Sequence, residues 1–275
     1  MSIGIARSFN SSSNMTRDLR MVSHSASYKP PIDFEDTATW PDRLTAALEK
    51  YRGTFGEDRE ADEILSREAL LGFHCTRLLP YEAAEVLGTG LCAPSPEFLE
   101  RRINRAREAG DLSANICAIL LAKNQAADAN RVGRICFFSM RSRLRKESSV
   151  HRFFESWGGE VLYNSHEQDR TTGPKLRSLG EPYIVKVSAP VSMLEEYRYG
   201  LARYFDNKLL NDSTGAEAGR PELPETCVAG SVPPECVVEL VSFRDAAFES
   251  LTHCHAQGWN LCAMRDHGTA GWRRL

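Results

Sequence analysis

The chain lacks strong net charge, a long apolar run and the common enzyme signatures. Its 34 Lys and Arg against 37 Asp and Glu leave a formal net charge of -3. That removes any global electrostatic argument for nucleic acid or an anionic membrane. No apolar stretch approaches the roughly 18 residues a membrane-spanning helix needs, so no membrane partner is expected. The start, Met1-Ser-Ile-Gly-Ile-Ala-Arg7, has no basic region followed by an apolar run, as a signal peptide would. No Gly-x-Ser-x-Gly elbow, His-Glu-x-x-His, P-loop or kinase set is present. Gly88-Thr-Gly90 lacks a third glycine and follows a helical stretch, which argues against a Rossmann fingerprint.

There is no Cys-x-x-Cys among the 8 cysteines. They are scattered, and Cys117 and Cys136 sit in apolar runs, where a reduced cysteine acts as a small hydrophobe. The expectation is a cytoplasmic protein with free thiols. His253-Cys-His255, with Cys262 and His267, is the nearest approach to a ligand cluster. Its spacing fits no zinc-finger template, so no metal is expected.

What is present is an ordinary globular composition, with 42% hydrophobic and 26% charged residues in 275. Residues 1–38 are rich in Ser, Asn, Thr and Arg and read as a flexible segment. Residues 39–70 read as a helical cap. One helix starts near Pro41 with Leu44, Leu48 and Tyr51 on a stripe, and a second covers 58–70. Residues 71–275 read as the main domain. Strands are expected at 73–78, 134–139, 182–188 and 236–243. Helices are expected at 81–87, from Pro96 behind a Ser95 cap to Gly110, at 114–122, behind Ser148 or Ser149, and at 193–204. Residues 160–163 read as a short strand or turn, the basic run 141–146 as a solvated loop, and 206–234 as a long loop or lid. The strands are short and separated by helices of mixed length. The fold class is therefore α+β, a mostly antiparallel sheet with helices gathered on one side.

Candidate chemistry centres on Leu71-Gly-Phe-His-Cys-Thr-Arg-Leu-Leu79. A histidine in an apolar strand is more often a hydrogen-bonded core residue than a functional one. Thr76, two residues on, shares the face of His74, so imidazole and hydroxyl are presented together. Arg77 points to the other face. Phe138-Ser139 ends the second expected strand and could offer a flat stacking surface with a hydroxyl at its rim. Trp157-Gly158-Gly159-Glu160 places a carboxylate after two glycines that let a ligand approach closely. Its simpler reading is a helix end followed by an exposed glutamate.

These residues together resemble the ADP-ribosyltransferase superfamily, of the diphtheria-toxin and PARP kind. The run Phe73-His-Cys-Thr76, the helix after it and Gly90-Leu91 are similar to the family's first NAD-binding strand and the element that follows. Phe137-Phe138-Ser139 is similar to the second strand, where many members carry a tyrosine; here the aromatic has no hydroxyl. The resemblance covers roughly residues 71–243 and implies a split antiparallel sheet that binds NAD as substrate. His74, Cys75, Thr76 and Arg77, with Phe138, Ser139 and Trp157, would hold it. Glu160, or its rival Glu239, would stabilise the oxocarbenium-like transition state as nicotinamide leaves. The implied activity is transfer of ADP-ribose to a macromolecular or small-molecule acceptor, as in a toxin or defence effector. The basic run keeps a nucleic-acid acceptor open beside a protein one. The other reading is a non-catalytic module that uses the same cleft to hold NAD or a partner.

Overall fold

The computed structural model describes residues 29–50, 59–146, 150–195, 200–215 and 225–259. In chain order these form α1 (Asp42–Lys50), α2 (Arg59–Leu65), β1 (Ala69–Leu78), α3 (Pro80–Thr89), α4 (Pro96–Glu108), α5 (Ala114–Ala122) and β2 (Arg134–Phe137). Then come α6 (Arg141–Lys146), α7 (Val150–Glu155), α8 (Glu160–His166), α9 (Thr172–Ser178) and β3 (Glu181–Pro190). The remainder is α10 (Ala202–Thr214), β4 (Thr226–Ala229), β5 (Val237–Ser242) and α11 (Ala246–Thr252).

The class is α+β, with two small antiparallel sheets. One has the order β1-β3-β5 and the other is the β2-β4 pair. Alternation along β3 explains how the first sheet is buried on both faces. Tyr183, Val185 and Val187 join Ile135, Phe137 and Val228 of the small sheet and Ala83 and Val86 of α3. Ile184 turns the other way, into Phe73, Val241 and the helical residues Phe154 and Phe248. Helices therefore cover both faces of β1-β3-β5, against the expectation of one.

Among the described residues, one antiparallel backbone bridge joins the edge of β1 to the end of the small sheet. Phe73 N donates to Phe138 O at 2.8 Å, and Phe138 N donates back to Phe73 O at 3.1 Å. Gly72 makes this approach possible, because a Cβ there would lie 2.2 Å from the Phe137 ring.

The sheets also correct the reading of Cys136. In β2-β4 register it faces Cys227 directly, and the two sulfurs are bonded at 2.03 Å. Strand pairing brings together residues separated by 91 positions. Cys75, Cys92, Cys117, Cys236 and Cys254 are free thiols.

Other expectations shift for identifiable reasons. Leu70 and Leu71 belong to β1, whose ten residues all pair with β3. Residues 29–38 are docked: Ile32 bridges Leu70, and Phe34 packs with Trp40 and Phe205. Helices α1 and α2 share that cluster with α10. The stretch at 206–234 contains most of α10 and all of β4. The basic run is helix α6, fastened by Arg141 to Asp33 at 3.0 Å and by Arg145 to the Ser250 carbonyl at 2.8 Å. The Ser95 cap is as expected, with its Oγ accepting from Phe98 N at 3.1 Å. Tyr51, Ser148, Ser149, Cys262 and His267 lie outside the described residues. Among the described residues no helix is long and apolar enough to cross a membrane.

Candidate functional site

A cleft of about 450 Å³ opens where β1 and the small sheet diverge beyond the Phe73–Phe138 bridge. Its walls include His74, Cys75, Thr76, Phe138 and Glu160. The volume falls in the range of small-molecule sites.

His74 and Thr76 share one face of β1, as strand alternation requires, and both are partly exposed in the cleft. The His74 ring spans the two sheets, with Nδ1 2.9 Å from Cys136 O. A carbonyl only accepts, so Nδ1 carries the proton and Nε2 of the neutral ring is an acceptor. Burial holds the His74 pKa below its ordinary 6.5, and the positive charge of Arg102 adds to this, against the raising effect of the Cys136 carbonyl. Cys75 faces the opposite core. Burial, helped by nearby Glu225, pushes its thiol well up, which keeps it protonated and unreactive.

Glu160 opens α8, and the expected strand or turn is a helix here. Gly158 (φ 91°) and Gly159 (φ 61°) reverse the chain, so that Leu162 and Tyr163 turn into the core. A Cβ on Gly158 would lie 2.3 Å from Leu162. Glu160 Oε1 accepts from the Tyr163 hydroxyl at 3.1 Å and Oε2 from Arg131 Nε at 3.2 Å. Its side chain is 42% exposed. Burial, then the adjacent Glu160 charge, raises the Tyr163 pKa, so the phenol remains a donor.

Cations surround these groups, each with an acidic partner. Arg131 also binds Asp128, Arg152 clasps Glu167 at 3.0 Å, and Arg134 chelates Glu195, reaching Oε2 at 2.8 Å. Phe153 stands edge-on to Phe138 at 6.5 Å and to Tyr163 at 6.2 Å, giving the cleft an aromatic side.

Three residues expected at the site lie behind its walls. Arg77 is buried, and its Nη1 donates to Phe154 O at 2.9 Å while Nε donates to Leu179 O. Ser139 is buried against Thr226, hydroxyl to hydroxyl at 2.8 Å, rather than at a rim. Trp157 is fully buried, and its indole donates to Glu82 Oε2 at 2.8 Å. Of the rival glutamates, Glu239 sits on β5, paired with Lys186 at 2.7 Å, and does not line the cleft.

Sequence reasoning missed Glu225, which lines the cleft just ahead of β4. The available signal was the run Glu225-Thr-Cys-Val228, a short alternating strand inside a stretch read as loop.

Comparison of the chain with protein-family models, with curated proteins and with solved structures returns no match.

Proposed function

We propose that the cleft binds NAD and that the protein transfers ADP-ribose from it to an acceptor. One observation carries this reading. The imidazole and hydroxyl of β1 and the carboxylate of α8, far apart in sequence, line one cleft between two divergent antiparallel sheets. That arrangement is what an ADP-ribosyltransferase-like split sheet would provide.

In this reading His74 Nε2 accepts from a ribose hydroxyl or the carboxamide of NAD, and Thr76 supplies a second polar contact. Phe153 and Phe138 offer the nicotinamide an aromatic surface. Glu160 faces the nicotinamide ribose. The bond between the ribose C1′ and the nicotinamide nitrogen breaks, and nicotinamide leaves as a neutral molecule with the bonding electrons. The positive charge left on the sugar is stabilised by the carboxylate, and the acceptor's nucleophilic atom then bonds to C1′. The acceptor's proton passes to a carboxylate or to water. The acceptor belongs to a macromolecule or a small molecule, and a toxin or defence role fits such chemistry.

The test is incubation with NAD, reading free nicotinamide and labelled acceptor. Wild type should release nicotinamide, Glu239→Gln should match it, and Glu160→Gln should lose about 100- to 1,000-fold, the cost of removing one transition-state contact. No product from wild type, or equal rates for wild type and Glu160→Gln, sinks the enzyme reading. The second reading, a non-catalytic NAD-binding module, draws on the engagement of both Glu160 oxygens by Arg131 and Tyr163. It predicts a rise in melting temperature with NAD and no nicotinamide from any variant.

A further inference from the structure

The end of α11 gathers three different metal-ligating groups, none of which lines the cleft. Glu249 lies in the last turn of the helix. His253 then takes a left-handed conformation, φ 52°, the only positive φ outside glycine among the described residues. That reversal brings the next two residues back beneath the glutamate. Cys254 Sγ is 2.8 Å from Glu249 Oε2, and His255 Nδ1 is 2.9 Å from the same oxygen. All three ligand atoms lie within 4.8 Å of one another.

Part of their backbone is held by other partners, although His255 N also donates to Glu249 Oε2 at 3.2 Å. Cys254 N donates to Thr252 Oγ1 at 3.3 Å, Gln257 N to His253 O at 3.0 Å and Trp259 N to Cys254 O at 2.9 Å. The thiol is buried, whereas the imidazole is 71% and the carboxylate 38% exposed. One side of the cluster is therefore open to solvent.

We propose that Glu249, Cys254 and His255 bind Zn²⁺, with water in the fourth position. Thiolate and imidazole exclude the hard cations Ca²⁺ and Mg²⁺, and a mixed S, N, O set suits zinc. Tetrahedral zinc with ordinary bond lengths separates such ligands by about 3.5 Å. From 2.8 and 2.9 Å, the half-exposed carboxylate oxygen must recede by about 0.6–0.7 Å to reach that separation, a rotation open to a surface side chain. Binding releases the thiol proton to solvent, and the imidazole proton moves from Nδ1 to the outward Nε2. The hydrogen-bonded cluster is the metal-free form of the same site.

Untagged full-length protein should purify with, or take up, about one equivalent of zinc that a chelator removes. With Co²⁺ in its place, the protein should show the absorption of tetrahedral cobalt with a thiolate-to-metal charge-transfer band. Cys254→Ser should abolish that band with the circular dichroism spectrum intact. The exposed variants Glu249→Gln and His255→Ala should each weaken zinc binding by more than about tenfold, the loss that removal even of a supporting group causes. Cys262→Ser should leave the band unchanged. Absence of zinc uptake, a band that survives Cys254→Ser, or a band that follows Cys262 overturns the assignment.

Discussion

Two carboxylates stand on opposite sides of one wall, and their surroundings differ in kind. Behind the wall Glu82 is buried. It accepts from Leu79 N at 2.9 Å, Trp157 Nε1 at 2.8 Å and Arg102 Nε at 2.8 Å, with the Arg102 guanidinium 4.8 Å above the Trp157 ring. In front, Glu160 is half exposed, holds one arginine and one phenol, and opens onto the cleft. A buried carboxylate with every oxygen engaged belongs to stability, because losing it strands several buried partners. A carboxylate with solvent access in a cleft is free to meet a ligand. Arg102 serves both, since it closes the Glu82 cluster and also lines the cleft.

The sharpest test of this contrast is on stability. Glu82→Ala leaves the Arg102 charge, the Trp157 N–H and the Leu79 N–H without their acceptor, and should cost about 3–5 kcal/mol. The melting temperature should fall by roughly 10 °C. A change no larger than that of an ordinary surface substitution would break the comparison. Glu160→Gln is the mirror case. It should lower nicotinamide release by about 100- to 1,000-fold, equivalent to about 3–4 kcal/mol of activation free energy, while differential scanning calorimetry sees little change. A large drop in melting temperature would move Glu160 into the structural class.

Parts of this arrangement were legible from residues alone, because they depend on local rules. Ser95 and Pro96 announce a helix start through cap chemistry. The shared face of His74 and Thr76, and the split of Val185 and Val187 from Ile184, follow from strand alternation. What failed needed distant partners. Val161-Leu-Tyr163 has strand propensity, yet the reversed glycines and the core contacts of Leu162 and Tyr163 make it helical. Trp157 is expected among the residues that hold the ligand, but its hydrogen-bond partner is Glu82, 75 positions away. The Cys136–Cys227 bond required the β2-β4 register. Glu225 carries no strong local mark, because the strand after it, Thr226–Ala229, is only four residues long.

Trp157 gives the next effect in size. Trp157→Phe removes one donor from Glu82 and some buried ring area while keeping an aromatic face under Arg102. The expected loss is about 2 kcal/mol, and under the proposed function any rise in melting temperature with NAD should match that of wild type. A variant of normal stability that no longer responds to NAD would return Trp157 to the cleft.

The smallest effect separates the two regions by pH. Burial raises the Glu82 pKa, but the Arg102 charge and its hydrogen bonds, with those of Leu79 and Trp157, outweigh it and hold the value below the ordinary 4.5. A depressed carboxyl contributes stability that is fully present above its unfolded pKa and is lost as pH falls through the folded one, so this contribution fades only below about 4.5. His74 is also depressed, mainly by burial, from an ordinary 6.5. For a base this means the neutral form is favoured on folding. Its penalty is absent above 6.5 and grows as pH drops below that, because the unfolded chain takes up the proton first. Both groups therefore destabilise the fold on acidification, in separate windows. Urea unfolding followed against pH should show an upper decline that His74→Asn flattens and a lower one that Glu82→Gln flattens. If His74→Asn leaves the upper window untouched, the neutral, partly buried imidazole assigned to the cleft wall is wrong.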